Sequence, residues 1–211
     1  GRYDYDNRHG NIFTPRAAYR FKFTENDIIR LNAGTGFRVV NLFTEDHAAL
    51  TGSRDVIIAE ELEPEESFNV NLNFLKKIYG DNGTFVSLDA SVFYTYFQNV
   101  IIPDYDTNPN QIIYDNLEGK SISKGISANI DITMYNGLQF MIGGTLQNVS
   151  NTENGVTQRQ ILTESYSANW SVGYQIRPWN LKIDYTGNLY GPMRLPTLGE
   201  SDPRRDFSPA W

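Results

Sequence analysis

The feature that most constrains this chain is a strict alternation of apolar and polar side chains, sustained over unusually long segments. In Ser121–Met134 the even positions are apolar with the single exception of Lys124, and the odd positions are small or polar. A period of two residues is typical of a β-strand, because successive side chains on a strand point to opposite faces of the sheet. This segment therefore predicts a strand with one apolar and one polar face.

The same pattern recurs along the chain and predicts about eight strands in all. Thr84–Gln98 alternates in the same way, although Phe85, Phe93 and Phe97 interrupt its polar face. The other candidate strands are Phe68–Phe74, Ser165–Tyr174, Trp179–Thr186, the weaker Pro15–Phe23 and Leu138–Leu146, and the mixed Asp27–Arg38. No long segment has the 3.6-residue period of a helix, so we expect an all-β protein.

The length of these segments favours a membrane barrel over a soluble sheet. Soluble strands usually have about 5–6 residues, whereas a tilted strand that crosses a bilayer needs about 9–11. Aromatic residues also gather near the segment ends, as in the interfacial girdles of membrane barrels. These aromatic residues are Tyr94, Tyr96, Tyr135, Tyr174, Trp179 and Tyr190. A soluble β-sandwich or lipocalin-like barrel is the alternative, since alternation alone also fits a sheet with one solvated face.

The connections between the candidate strands alternate between short and long. Short turns are expected at Thr24–Asp27, Lys77–Gly83, Tyr135–Gly137 and Arg177–Pro178, and long polar loops at Val39–Pro64, Ile101–Gln111, Ser150–Gln160 and from Gly191 onward. Outer-membrane barrels have short periplasmic turns and longer external loops, whereas a sandwich gives no reason for this alternation. The sequence therefore predicts a segment of an antiparallel up-and-down transmembrane β-barrel in a bacterial outer membrane.

Composition excludes several classes of function. The chain has a formal net charge of −7 and no cluster of Lys and Arg for phosphate contacts, so we expect no nucleic-acid partner. Cys is absent, which excludes a disulfide framework and thiolate chemistry. No apolar run approaches the roughly 18 residues of a transmembrane helix, and no signal-peptide pattern is visible.

Several polar clusters in the sequence are candidate sites of chemistry. Five loop residues have the oxygen-ligand spacing of a calcium loop: Asp104, Asp106, Asn108, Asn110 and Asp115. Pro109 occupies the position at which that motif needs Gly, so a solvated external loop is the favoured interpretation. Asp4 and Asp6 form a weaker acidic pair, and His9 and His47 are separate loop residues. We predict no metal site from these groups.

The remaining candidates also favour structural roles. The run of Glu60, Glu61, Glu63, Glu65 and Glu66 fits a solvated loop better than a cation site. Gly34-Thr35-Gly36 resembles half a nucleotide loop, but no helix follows, so we expect these glycines to let a strand bend. No Ser-His-Asp order or G-x-S-x-G motif is present. We therefore predict no enzymatic activity, no catalytic or cofactor-binding residues and no bound cofactor.

An ordered set of short motifs resembles the TonB-dependent receptors of the outer membrane. Arg30–Leu42 resembles their GFR-x-P-N-L stretch, with Val40 where the family usually has Pro. The further motifs are Arg2-Tyr3-Asp4-Tyr5, Thr14-Pro15-Arg16, Leu62-Glu63-Pro64-Glu65 before a following strand, and Asn116-Leu117-Glu118-Gly119 leading to Gly125. Together they extend from Arg2 to about Ile130. The loop style and Asp202–Pro209 resemble the Bacteroidetes branch of the family.

This resemblance implies a receptor that imports a scarce nutrient, such as an iron chelate, cobalamin or a glycan, by TonB-coupled transport. Family members have an N-terminal plug, a segment that contacts TonB and a barrel of about 22 strands. The resemblance therefore implies that residues 1–211 are a partial barrel, cut at both ends, whose partners are membrane lipid, the plug, the remaining strands, the TonB complex and a small ligand. A passive porin and a soluble binding module are the alternative functions.

The polar face of the predicted strands is the one functional surface that the sequence indicates. Its residues are Asn69, Asn71, Asn73, Asp89, Asn129, Asp131, Asn169, Lys182 and Asp184. In a receptor these side chains would hold the plug by hydrogen bonds and line a substrate path. Simple solvation of an aqueous lumen is the alternative role for each of them. The residues that bind the substrate are not identified by sequence alone.

Overall fold

The computed structural model describes residues 1–7, 9–38, 55–58, 62–104, 108, 110–195 and 207–211. In chain order the strands are β1 (Arg2–Asp6), β2 (Gly10–Thr14), β3 (Arg16–Lys22), β4 (Asp27–Arg38), β5 (Asp55–Ile58), β6 (Glu65–Tyr79), β7 (Phe85–Gln98), β8 (Ile101–Asp104), β9 (Gln111–Asn116), β10 (Gly119–Thr133), β11 (Leu138–Glu153), β12 (Val156–Arg159), β13 (Tyr166–Ile176) and β14 (Leu181–Tyr190). One 3₁₀ turn spans Arg177–Trp179. None of the helical segments in the described residues has the length and apolarity to span a membrane.

Eight of these strands form one antiparallel sheet in the order β14-β13-β11-β10-β7-β6-β4-β3. Each of the eight corresponds to one of the segments predicted from alternation. Neighbours in the sheet are also neighbours among these eight strands along the chain, as in an up-and-down barrel. The predicted all-β, antiparallel architecture is confirmed, and within the described residues the sheet is open rather than closed into a ring.

The short and long connections lie at opposite ends of this sheet. The short-turn end contains the connections β3–β4, β6–β7, β10–β11 and β13–β14. The long-loop end contains the connections β4–β6, β7–β10 and β11–β13. The predicted alternation is therefore confirmed. Two of the short turns are Asn-Gly turns of the same construction, in which Gly83 and Gly137 adopt φ of +77° and +91°.

The two faces of the sheet differ in the way that alternation predicted. Cross-strand pairing aligns Leu72, Val92, Ile126 and Leu146 in one row, and side chains in such a row share a face. This apolar face also carries Ile130, Trp170 and Ile183, as the register extends across β10, β11, β13 and β14. The opposite, polar face carries Asn71, Ser91, Asn129, Asp131, Asn169 and Asp184.

Neither face is covered by a core. In the described residues only Ile28, Ile101 and Leu117 are buried apolar side chains. Val92, Ile126 and Leu146 are 51%, 54% and 64% exposed, although they lie in the middle of the apolar face. A soluble sandwich would bury such a row between two sheets, so the soluble alternative is wrong for this fold.

The loops contain strands that alternation did not predict. A parallel pair, β5 with β9, and an antiparallel pair, β8 with β9, form a three-stranded sheet at the long-loop end. Strand β12 pairs with an extension of β11 as far as Glu153. Strands β1 and β2 form an N-terminal hairpin. These strands are short, and backbone pairing rather than a two-sided side-chain pattern holds them, so periodicity gave no signal.

Several predicted boundaries and one predicted position were wrong. Strand β6 continues to Tyr79, because Ile78 and Tyr79 still pair with β7 and the Tyr79 ring packs 5.1 Å from that of Phe85. Trp179 lies in the 3₁₀ turn, so the last strand begins at Leu181. Tyr190 pairs with Ser167 and therefore faces the polar side rather than the outer girdle.

Candidate functional site

All nine polar residues predicted to share a face do so. The register places Asn69, Asn73 and Asn71 of β6 on the same side as Asp89 of β7. The remaining members, Asn129, Asp131, Asn169, Lys182 and Asp184, follow across the next four strands of the sheet. The strands bring these side chains together because a two-residue period keeps every second position on one face.

Asn73 is the centre of a hydrogen-bond network on the polar face. Its Nδ2 donates to Asp89 Oδ1 at 2.7 Å and to Ser91 Oγ at 3.0 Å. Its Oδ1 accepts from Arg30 Nη1 at 3.0 Å. These bonds join β4, β6 and β7 through side chains as well as through the backbone. They brace this part of the polar face across three strands.

Other members of the polar face keep their polar groups toward the open side of the sheet. Asn129, Asp131 and Asn169 are exposed. Lys182 Nζ and Asp184 Oδ1 form an exposed ion pair at 3.0 Å. The exposed groups can donate to or accept from a domain or solvent placed against this face, which the internally bonded Asn73 cannot do as readily.

One aromatic interruption of the polar face, Phe93, has a steric explanation. A Cβ added at Gly125 would lie 2.6 Å from Cζ of Phe93, which occupies the neighbouring position on β7. Glycine at this position therefore lets the Phe93 ring lie flat against the sheet. Gly34 and Gly36 act similarly, since a Cβ there would meet the side chains of Arg16 and Ser67. Both lie in a continuously paired strand, where they allow neighbouring side chains to approach closely. The predicted role in bending stays a prediction.

A cavity of about 480 Å³ lies at the long-loop end, between the β8–β9 hairpin and the β11–β12 hairpin. Its wall includes acidic side chains from both hairpins, Asp104, Asp115 and Glu153, as well as Arg159 and Arg194. Asp115 Oδ1 and Asn151 Oδ1 are buried and have no hydrogen-bond partner within the described part of the chain. Buried oxygens of this kind can accept a hydrogen bond from a donor that lies outside the described residues. We call this cavity the mouth cavity.

Residues of the motifs that resemble the receptor family join the bases of two external loops. Glu65 Oε2 pairs with Arg38 Nε at 2.5 Å, and Glu65 Oε1 accepts from the Ile101 amide at 2.9 Å. Glu65 is also the residue at which β6 begins, as its motif predicted. The carboxylate thus joins β4, β6 and β8, and sequence alone gave no signal for the contact with Ile101.

Asn116 makes a second set of hydrogen bonds between loop ends in the same region. Its Oδ1 accepts from the Glu63 amide at 2.7 Å, and its Nδ2 donates to the carbonyls of Glu63 and Asn99 at 3.1 and 2.7 Å. One amide side chain therefore fixes the ends of two loops that are far apart in sequence. The motif at Asn116–Gly119 pointed to a strand entry, which β10 confirms by beginning at Gly119.

The other candidate residues that the structure describes are not brought together into one site. Asp104 and Asp115 share one face of the β8–β9 hairpin, while Asn108 Nδ2 donates to Gln111. His9 Nδ1 lies 2.9 Å from Asp6 Oδ1, and Asp4 pairs with Arg2. In the described residues no group of three or more potential metal ligands occurs. His47, Asp106, Pro109, Glu60 and Glu61 lie outside the described residues.

Comparison with known proteins gives matches for both the sequence and the fold. The family model described as TonB dependent receptor-like, beta-barrel matches residues 1–209. Among solved structures, the chain is similar to the ferric enterobactin receptor of Pseudomonas aeruginosa, with a TM-score of 0.69 and 15% identity over 99% of this chain and 32% of that one. No curated protein matches the sequence.

Two further structures have the same fold. The siderophore receptor PirA of Acinetobacter baumannii gives a TM-score of 0.69 at 11% identity, over 99% of this chain and 34% of that one. The FrpB iron transporter of Neisseria meningitidis gives 0.62 at 15% identity, over 87% of this chain and 27% of that one. The chain thus spans between about a quarter and a third of the length of these proteins.

Proposed function

Because this chain belongs to the TonB-dependent receptor-like β-barrel family, we propose that it is part of an outer-membrane receptor that imports an iron chelate by TonB-coupled active transport. The family consists of receptors of the bacterial outer membrane rather than enzymes. The choice of an iron chelate is supported by three structures of similar fold, which are described as an iron transporter, a ferric enterobactin receptor and a siderophore receptor.

The observation that carries the proposal is the division of the sheet into two faces. In the receptor the apolar face contacts lipid, and the polar face lines the lumen and holds a plug domain. The exposed Asn129, Asp131 and Asn169 supply hydrogen-bonding groups for that plug. The internally bonded network around Asn73 keeps the wall stiff while the plug moves. Residues 1–211 act in this account as one partial barrel domain.

The mouth cavity is the proposed place of first contact with the ligand. It lies at the long-loop end, which is the external end of an outer-membrane barrel. Asp115 and Asn151 contribute buried acceptors, and Arg194 contributes a cation. A chelate that carries both hydroxyl or amide donors and carboxylate or catecholate acceptors would satisfy both kinds of group.

Uptake measurements in cells test the proposal. Cells that carry the whole receptor should accumulate labelled iron chelate under iron limitation, and deletion of TonB should abolish that uptake. Labelled cobalamin and an oligosaccharide, supplied in parallel, should not be accumulated. Uptake that persists without TonB would support the passive porin instead. Accumulation of cobalamin or the oligosaccharide alone would retain the receptor but replace its substrate.

A further inference from the structure

Lys124 is the one charged residue within the otherwise apolar row of side chains on β10 that spans Ile122–Met134. At the short-turn end, the charged residues Asp27 and Lys76 of the same face form an ion pair at 2.9 Å. Lys124 forms no ion pair with any described residue, and it is exposed. Lys124 is therefore a cation within an apolar row, without an anionic partner among the described residues, and is available to an anionic ligand.

A second cation lies on the same face and close to the first. Lys124 pairs with Asn148 of β11, and two residues further along β11 Ser150 pairs with Arg159 of β12. Strand spacings of about 4.8 Å and a rise of about 3.4 Å per residue place the two Cα atoms about 12 Å apart. Arg159 is exposed, and its Nη1 donates to Ser165 Oγ. Both long side chains can reach one ligand that spans this distance.

The two cations flank an apolar groove of about 530 Å³. Val92, Ile126 and Leu146 form its floor in one cross-strand row, and Tyr94 stands beside Lys124 in the next row. The Leu146 side chain is 64% exposed and that of Val92 is 51% exposed. The groove thus offers apolar contact on one side and positive charge on the other.

The position of Lys124 along β10 sets the depth of this groove in the membrane. Lys124 lies eleven residues before Tyr135, the exposed aromatic residue of the short turn. At about 3.3 Å per residue and a tilt of about 40°, the two residues are roughly 28 Å apart along the membrane normal. That distance is close to the thickness of the hydrocarbon core, about 30 Å. Lys124 and Arg159 therefore lie at the external interface of the membrane.

We propose that Lys124, Arg159 and the apolar groove between them bind a phosphate-bearing lipid of the outer leaflet. The acyl chains would lie along Val92, Ile126 and Leu146, and the phosphate groups would pair with the two cations. Charge complementarity favours an anion here although the whole chain has a net charge of −7. The groove lies beside lipid, so its occupant is a lipid rather than an acidic peptide.

Lipid binding to the detergent-solubilised whole receptor tests the proposal. The probe is diphosphoryl lipid A, measured by native mass spectrometry against its phosphate-free analogue. Each cation should contribute about a fivefold gain in affinity, so the Lys124→Gln, Arg159→Gln double variant should bind the diphosphoryl lipid about 25-fold more weakly. Exchange of the two cations, Lys124→Arg with Arg159→Lys, should retain binding.

The matched control removes two cations from the polar face, Lys22→Gln with Lys77→Gln, and should leave lipid binding unchanged. Equal binding by the Lys124, Arg159 double variant and the unaltered receptor would overturn the proposal, as would equal binding of the phosphate-free lipid. Displacement of the lipid by millimolar inorganic phosphate would indicate a free-anion site instead. Should the double variant fail to fold, the two single variants decide, each expected to bind about fivefold more weakly. The experiment measures lipid binding rather than iron uptake, so a negative result would not contradict the proposed import function.

Discussion

At the scale of single residues, adjacent positions on one strand face different surroundings. Ile130 and Asn129 are neighbours on β10, with Ile130 on the apolar face and Asn129 on the polar face. An Ile130→Arg change should destabilise the receptor by about 2–4 kcal/mol, because it places a charge at mid-bilayer depth. Asn129→Arg, the matched control, should cost far less. The measurement is denaturant unfolding in lipid vesicles, and equal losses at both positions would contradict the assignment of the faces.

Glu65 gives a second test at this scale. The Ile101 residue is only 9% exposed, and its amide donates to Glu65 Oε1. Glu65→Ala should therefore leave a buried donor without an acceptor, at a cost of about 1–3 kcal/mol. The adjacent Glu66 is exposed, and Glu66→Ala should change the free energy of unfolding by less than about 0.5 kcal/mol. Unfolding free energies that do not separate the two variants would contradict this role of Glu65.

These residues also show what sequence alone can and cannot predict. The facing of Ile130 and Asn129 follows from a period of two, so it was predicted without a structure. The contacts of Asn116 with Glu63 and Asn99 join positions separated by 53 and 17 residues. No local pattern encodes such a contact. The mouth cavity was missed for the same reason, because its walls come from two separate hairpins.

At the scale of elements, the two Asn-Gly turns have the same internal bonds. In each, the Asn side chain accepts from the backbone amide two residues later, and the Gly has a positive φ. Gly137→Ala should destabilise the β10–β11 hairpin by about 1 kcal/mol or more, because an L-residue is strained at a φ of +91°. Gly144→Ala, within β11, would place its Cβ in ordinary van der Waals contact, 3.6 Å from the Ser167 carbonyl oxygen, and should be neutral or mildly stabilising. Thermal unfolding of the two variants checks the contrast.

The orientation of the hairpins is a further prediction at this scale. The chain contains no Cys, so each introduced Cys is unique. Val156→Cys lies at the first residue of β12, beside the β11–β12 turn, and Asp81→Cys lies in the β6–β7 turn. An impermeant thiol reagent should label the first in whole cells and the second only after the outer membrane is opened. The reverse order of labelling would invert the assignment of the external and periplasmic ends.

Strand extensions show why the elements were predicted only in outline. All eight long strands were expected from alternation, yet β11 continues to Glu153 by pairing with β12. The pattern of alternation weakens beyond Leu146, because the residues there lie nearer the long-loop end than the part of the sheet that has an apolar face. Backbone hydrogen bonds alone then hold the strands, and the sequence carries no two-sided signal for them.

At the scale of the whole molecule, the stability of this fold does not come from a core. Its buried apolar side chains in the described residues are few, and its apolar face is open. Stability must come from continuous backbone pairing and from the surroundings of the apolar face. In lipid an unpaired backbone group costs several kcal/mol, so the two edge strands, β3 and β14, are the weak points of residues 1–211. Alternation predicted the strands but gave no information about what pairs with these edges.

The unpaired edges of the sheet predict self-association. Residues 1–211, produced alone in detergent, should associate edge to edge, because unpaired strands act as templates for other strands. The two edge strands run in opposite directions, since they are the first and eighth of an antiparallel series. Strand β3 of one copy can therefore pair with β14 of another. In the described residues, the outer edges of β3 and β14 have few other backbone partners. One of these is Trp211, which pairs with Tyr190 at the long-loop end.

Cysteine cross-linking distinguishes pairing between copies from closure within one copy. Arg20→Cys on β3 and Thr186→Cys on β14 both face the polar side. A disulfide between copies, with a mass above that of the monomer by light scattering, is the expected result. A monomer cross-linked within itself would mean that the eight strands close into their own barrel, with an interior just wide enough for side chains to fill. Selective, energy-dependent uptake by that monomer in vesicles would then contradict the proposal that residues 1–211 are a partial barrel.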